Sequence, residues 1–375
     1  MSAETTPTID KFLDLEDPWN TPVETLKQLL VDSIREAAVH HYNNNKIYRT
    51  LCDNKKFDPK SIQSIEDFIR IPVISTQAFK TGLELRSVPE NEIVKINKSS
   101  GSSGQPSLVP RDQLTVDRLM KSIKKTIPGV QPIHQGFLAM MSPSPEEYAD
   151  LTMAYMSQIG CELADNYEFY MKDFDFDPEE IIKSLNNVKE RPIWIGGGPM
   201  LILDLADWIE ETGQKITTLT ADSGVSSGGG FKDFTGHAIS REEYNKRVIS
   251  AFGVDEKNIR DSYGMTELNG FAIECEHHIK HLPPWIYVSI RNPDNFDEEV
   301  APGEEGLPVF LDPIAHSYPG FIIADDITSL AVQPFKKCSC GRIGPALSLN
   351  VRRAEGAEDK GCGRQVDSLK EAFSK

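Results

Sequence analysis

"NKSSGSSGQPS", residues 97–107, is the stretch on which the reading of this chain turns. It is a run of small polar residues with two glycines, and it admits two readings. As a linker, it would join independent parts through solvated coil. As a ligand loop, its glycines would let backbone N–H groups and hydroxyls close on phosphate oxygens. The flanks favour the loop. "EIVKIN" at 92–97 has strand character, and Val116, Leu119, Met120 and Ile123 follow with helical spacing. A linker would separate domains rather than join a strand to its next helix. The run is not a Walker loop, because no Gly-Lys-Ser/Thr follows.

Upstream, residues 21–42 read as one amphipathic helix. Thr21 and Glu24 would form a capping box, Pro22 would take the first helical position, and Leu26, Leu29, Leu30 and Ile34 make the stripe. His40 and His41 would close it as surface or half-buried residues. Downstream, helix-like and strand-like segments alternate: "PEEIIKSLNNV" (178–188, helix), "RPIWIG" (191–196, strand), "PMLILDLADWIEETG" (199–213, helix), "KITTLTA" (215–221, strand), "SREEYNKRVISAFG" (240–253, helix, capped by Ser240 and Glu243) and "NIRDSYG" (258–264, strand). Such alternation predicts an α/β fold. Short β-like runs with proline and glycine predict a smaller β-rich portion over 283–351. The expected organisation is a helical segment over 1–80, an α/β nucleotide-binding core over 81–282, the β-rich portion, and a tail over 352–375.

Composition narrows the function. With 39% apolar and 26% charged residues among 375, the chain is an ordinary globular protein. A formal charge of −17 makes it a poor general binder of nucleic acid or anionic membrane. The acidic start "MSAETTPTIDKFLDLEDPWN" has no secretory pattern, and no apolar run reaches membrane-spanning length. Six cysteines are too sparse for a disulfide scaffold, so a cytoplasmic setting is expected.

Two further loops fall at strand ends. "SSGGGFK" carries Gly228, Gly229 and Gly230, and "DSYGMTE" carries Tyr263, Gly264, Thr266 and Glu267. Ligands of open α/β sheets bind beyond the carboxyl ends of strands. A flat base could lie on the glycine backbone and stack on Tyr263, while Thr266 bonds phosphate and Glu267 holds Mg²⁺ through oxygen. Each loop alone could equally be a plain turn.

Together these motifs resemble the adenylate-forming superfamily. "SSGSSGQPS" looks like its phosphate loop, with Ser99, Ser100, Gly101, Ser102, Ser103 and Gly104 as the phosphate-binding positions. "YGMTE" resembles its Tyr-Gly-x-Thr-Glu motif, "GGGFK" its adenine-side loop, "IIADDIT" its ribose-binding segment with Asp326 at the aspartate, and "VRRAEG" its hinge with Arg353 at the arginine. That superfamily usually carries a lysine where Ser107 stands here, so the resemblance leaves charge neutralisation to Mg²⁺ or Arg111. Over nearly its whole length the sequence is similar to the acyl-protein synthetase (LuxE-type) family, through "IPVISTQAFK", "SSGSSGQPSLVPRD", "HLPPWIY", "EEGLPVFLD" and "VRRAEGAEDKGCG".

The resemblance implies an adenylate-forming large domain without a mobile C-terminal domain. It implies a ligase that activates a fatty acid with ATP and Mg²⁺, moves the acyl group to Cys362, and passes it to a reductase or carrier partner. Gly361, Gly363, Lys360 and Arg364 around Cys362 suit a mobile thiolate, although an incidental tail cysteine would look the same. "CSCGR" resembles an element of the phenylacetate-CoA ligase branch. On that likeness Cys275, His281, Cys338 and Cys340 would form a closed structural Zn²⁺ site. Reduced cysteines in a turn are the plain alternative. Two rival functions stand beside this one: an acid–CoA or acid–carrier-protein ligase with Cys362 inert, and a nucleotide-binding scaffold without catalysis. The methionine-rich stretch 135–165 reads as core or as an acyl tunnel.

Overall fold

The computed structural model describes residues 6–99, 105–133, 135–146, 152–172, 175–230 and 239–354. The chain forms two compact units. One comprises Ile123–Gly264 and Ala272–Lys280, and the other Met1–Ser122, Met265–Phe271 and His281–Lys375.

The first unit is built on parallel strands in the order Asn166–Met171, Phe137–Pro143, Ile193–Gly197, Gly224–Gly228 and Ile259–Tyr263, with Ala272–Glu274 antiparallel to the last of these. Helices Pro178–Asn187, Pro199–Thr212 and Arg241–Phe252 intervene in sequence. Ile195, Leu205, Ala206, Tyr244 and Val248 sit in their shared core. Each helix has a local reason for its ends. Asp177 Oδ1 caps Glu179 and Glu180 N–H groups. Ser240 Oγ accepts from Glu243 N at 3.1 Å. Gly213 and Gly253 end their helices in the left-handed region, at φ 69° and 67°.

One strand is misplaced in the sequence reading. Residues 215–221 are turn and coil, and the strand is Gly224–Gly228. Ile216 and Leu219 do pack on the core, which gives the segment its strand-like pattern, but the backbone there bends. The true strand is built of small residues because space forbids larger ones. A Cβ on Gly224 would lie 2.5 Å from the Asn258 carbonyl oxygen and 2.6 Å from the Trp194 ring.

The second unit carries a five-stranded sheet in the order Ile74–Ser75, Phe321–Ile323, Leu307–Leu311, Tyr287–Asn292 and Asn295–Glu299. It also carries a ribbon of Ile93–Lys98 against Leu108–Asp112 and a short pair, Asp326–Ile327 with Arg352–Arg353. The β-rich expectation for the later chain is met here. Helix Val23–Asn44 differs from the sequence reading at its start. Pro22 is the N-cap and makes no side-chain cap, and Thr21 Oγ1 donates instead to the Asp17 carbonyl at 2.8 Å.

Of the two histidines, His40 is half-buried as expected and His41 differs. His41 is fully buried, with Nδ1 2.8 Å from Ser87 Oγ. His40 stacks on His316 at 4.2 Å between centroids, and His316 Nδ1 lies 2.6 Å from Asp112 Oδ2. Burial, and next the neighbouring imidazoles, push the His41 pKa well below its usual value. Such a group stabilises the fold above its unfolded pKa, near 6.5, and that contribution is lost as pH falls below it. Urea midpoints should therefore drop between pH 7.5 and 5, and more shallowly in His41→Gln than in the wild type.

Candidate active site

Each unit contributes its own set of residues. In the unit of parallel strands, Gly224–Gly228 and Ile259–Tyr263 run side by side, with Gly228 opposite Ser262. The glycine loop and Tyr263 thus leave adjacent strands at their carboxyl ends, where open sheets bind ligands. Gly229 and Gly230 take φ 100° and 88°, conformations that favour glycine. Ser262 Oγ donates to the Ser227 carbonyl at 3.1 Å, and Ser227 Oγ to Asp261 Oδ1 at 2.9 Å, tying the two strand ends together. Tyr263 is half-buried at the rim.

In the other unit, Thr266 and Glu267 lie in the segment Met265–Phe271, and both are buried. Arg111, fully buried on the ribbon, holds this segment. Its Nη2 donates to the Thr266 carbonyl at 2.7 Å, Nε to Asn269 Oδ1 at 3.1 Å, and Nη1 to Asn97 Oδ1 at 2.7 Å. Asn269 in turn donates from N and Nδ2 to Asp312 Oδ2 at 2.8 and 2.9 Å. Tyr318 OH donates to the Glu267 carbonyl at 3.0 Å. Arg111 is therefore a structural hub, with every guanidinium nitrogen engaged.

The Glu267 side chain bonds to Ser107. Burial raises its pKa above the usual carboxylate range, opposed by the Ser107 bond and by the charge of Lys80. Close by in sequence to the expected ribose residue, Asp325 is fully buried. Its Oδ2 accepts from Thr76 Oγ1 at 2.9 Å, from Gln77 Nε2, and from Arg353 Nη2 at 3.3 Å. Its Oδ1 is buried with no partner among the described residues. Asp326 pairs with Arg353 in register, and their side chains approach to 3.6 Å. The structure thus brings together Thr266 and Glu267, and separately Asp326 and Arg353. Ser99 closes the base of the serine–glycine loop, its Oγ accepting from Ser107 N at 2.9 Å. Ser100, Gly101, Ser102, Ser103, Gly104 and Cys362 lie outside the described residues.

Sequence reasoning missed Asp325, Thr76, Gln77 and Lys80. The doublet in "ADDIT" was the available signal for Asp325. Thr76 and Gln77 lie inside the quoted stretch "IPVISTQAFK", where no role is read for them, and parallel pairing of Ile74–Ser75 with Ile322–Ile323 brings them to Asp325.

The cysteines and histidine of the expected metal set lie in two turns and a short strand. Cys275 opens a tight turn, its N–H donating to Ile279 O at 3.0 Å and its carbonyl accepting from His278 N at 2.9 Å. Cys338 to Arg342 form a second turn, with Cys338 N donating to Arg342 O at 2.8 Å and Gly341 N to Cys338 O at 2.9 Å. Within the other unit, Cys340 Sγ lies 3.3 Å from His281 Nε2, and Cys338 is two residues away in the same turn. Thiolate and imidazole donors are the types that zinc takes. Cys52 and Cys161 are buried apart from that set, and burial pushes both thiols up to about 12.

The same architecture occurs in a solved 2-hydroxyisobutyryl-CoA ligase in complex with its adenylate and CoA. The TM-score is 0.68 at 17% identity, covering 90% of this chain and 71% of that one. The fold is that of adenylate-forming ligases. Residues 3–374 match the family described as acyl-protein synthetase, LuxE, and the chain belongs to that family and is a ligase. It is 28% identical over 371 residues to the long-chain-fatty-acid–luciferin-component ligase of Vibrio harveyi, covering 98% of this chain and 94% of the relative. It is 24% identical over 356 residues to a phenylacetate-coenzyme A ligase of Thermus thermophilus, covering 87% and 71%. Among the described residues, no helix is long and apolar enough to cross a membrane.

Proposed function

We propose that this chain activates a long-chain fatty acid with Mg-ATP and takes the acyl group onto Cys362. The carboxylate oxygen attacks the α-phosphorus, pyrophosphate leaves, and an acyl-adenylate remains. The Cys362 thiolate then attacks the acyl carbonyl and expels AMP. A partner protein, a reductase or carrier, receives the acyl group. The observation that carries this reading is the buried pair Thr266–Glu267, held by Arg111 and Tyr318 beside Ser107. A carboxylate kept out of water with few internal donors suits a divalent cation.

In this reading the serines and glycines at 99–104 bind phosphates, and Thr266 contacts phosphate. Gly228, Gly229, Gly230, Tyr263 and Gly264 frame adenine, and Asp326 and Arg353 meet the ribose. Glu267 would hold Mg²⁺, which when bound screens the phosphates and the leaving pyrophosphate. Catalysis is then mainly positioning and electrostatic stabilisation. ATP–pyrophosphate exchange that depends on a fatty acid tests the first half. Exchange should appear with Mg²⁺ and without CoA; no exchange with any acid would refute the reading.

The cysteine–histidine set is read as a structural Zn²⁺ site. All four positions come from the chain, which leaves none open for catalysis. Purified protein should contain one equivalent of zinc. Cys338→Ser should lose it and melt about 5 °C or more lower. A wild type free of zinc and insensitive to chelators would contradict this assignment.

A further inference from the structure

We infer that Asp261 positions the adenine end of the nucleotide site, acting through Ser227 on the glycine loop and along its own strand on Tyr263. This rests on the nucleotide reading above. Three observations lead to it.

The first is the register. Gly224–Gly228 and Ile259–Tyr263 pair in parallel with Ser227 opposite Asp261. Asp261 stands two residues before Tyr263, and Ser227 two before Gly229, so each is in step with the site residue ahead of it. Ser227 Oγ donates to Asp261 Oδ1 at 2.9 Å, the nearer of two acceptors, with the Arg260 carbonyl at 3.2 Å. Both side chains are buried. This bond fixes the strand that carries the glycines against the strand that carries the tyrosine. A Cβ on Gly228 would lie 2.7 Å from Ser262 Oγ, so the strand ends meet there without room for a larger residue.

The second is what holds Asp261. Its Oδ2 lies 3.0 Å from Lys280 Nζ, and its N–H donates to Glu274 Oε2 at 3.1 Å. Glu274 takes both terminal nitrogens of Arg241, at 3.0 and 2.9 Å, and lies 3.4 Å from Lys280 Nζ and from His278 Nδ1. Asp261, Glu274 and Lys280 are all buried. Arg241 opens the helix Arg241–Phe252, so the two carboxylates are braced from the sheet and from the helix. The third is the place of this cluster. Replacing buried ion pairs by apolar packing is often neutral or stabilising, so stability alone does not account for them. These stand directly behind the strand ends from which the glycine loop and Tyr263 emerge. Asp261 is buried behind the loop rather than set in it, which makes it a positioning residue.

The test uses full-length protein and three variants: Ser227→Ala, Asp261→Leu, and the two combined. Fatty-acid-dependent ATP–pyrophosphate exchange gives kcat and the KM for ATP and for the acid. Ser227→Ala and Asp261→Leu should each raise the KM for ATP about fivefold or more, with kcat and the KM for the acid within about twofold of wild type. In the combined variant Ser227→Ala should add nothing to Asp261→Leu, because both break one link. Ser227→Ala removes a single hydroxyl and decides the matter alone should Asp261→Leu fail to fold. An unchanged KM for ATP in Ser227→Ala, a fall in kcat with KM kept, or equal rises in KM for ATP and acid would overturn the inference while leaving the adenylation reading intact. A wild type without exchange for any acid would overturn both.

Discussion

Glu267→Gln should lower the rate of fatty-acid-dependent AMP formation by about a hundredfold to a thousandfold, an effect of the size seen when one preorganised electrostatic group is removed. The substitution keeps shape and removes charge. Glu267 is buried at 4% exposure, bonded to Ser107, and pinned through its carbonyl by Tyr318. Stability should move the other way. Burial raises the Glu267 pKa, so the ionised carboxylate disfavours the fold once pH exceeds the unfolded value, near 4.3. Without Mg²⁺, Glu267→Gln should therefore be at least as stable as wild type at pH 7, and the difference should shrink as pH falls through 4. Urea unfolding at the two pH values checks it. A variant that loses activity and stability together would mark Glu267 as structural.

Arg111→Leu should cost about 3–5 kcal/mol of stability, the range found when one member of a buried polar network is removed. Three acceptors would lose their donor at once: Asn97 Oδ1, Asn269 Oδ1 and the Thr266 carbonyl. Asn269 also bridges to Asp312, whose own carboxyl is raised by burial, so the loss spreads to a second buried group. Asn97→Ala removes one acceptor and should cost only about 1 kcal/mol. A difference of less than about 1 kcal/mol between the two variants would show that the hub is not needed to hold Thr266 and Glu267.

Much of the fold was legible because local rules and tertiary demand agreed. The helices at 178–187, 199–212 and 241–252 carry proline or a side-chain cap at the start, and two of them meet glycine at the end. The strand at 224–228 was illegible for the opposite reason. Its residues are chosen for close packing against Trp194, and "GVSSG" has almost no strand propensity. His41 was misread because a histidine near a helix C-terminus usually meets water, and only the packing of Tyr48 and Phe321 around it removes that water.

At the site, motif residues next to one another in sequence were visible, as with Thr266 and Glu267. The Thr76–Asp325 bond spans 249 positions and depends on strand pairing, which no local pattern encodes. The cysteine–histidine set was named on the likeness of "CSCGR" to the phenylacetate-CoA ligase branch, and residues so far apart in sequence give no local pattern of their own.

The central claim is that an activated acid ends on this chain's own thiol. Intact-protein mass spectrometry after incubation with Mg-ATP and saturated fatty acids, without CoA, tests it most directly, with Cys362→Ser alongside. The account predicts an acyl-sized mass gain in the wild type that hydroxylamine removes, and none in Cys362→Ser. The same gain in Cys362→Ser, or AMP formed only once CoA or a carrier protein is added, would contradict it.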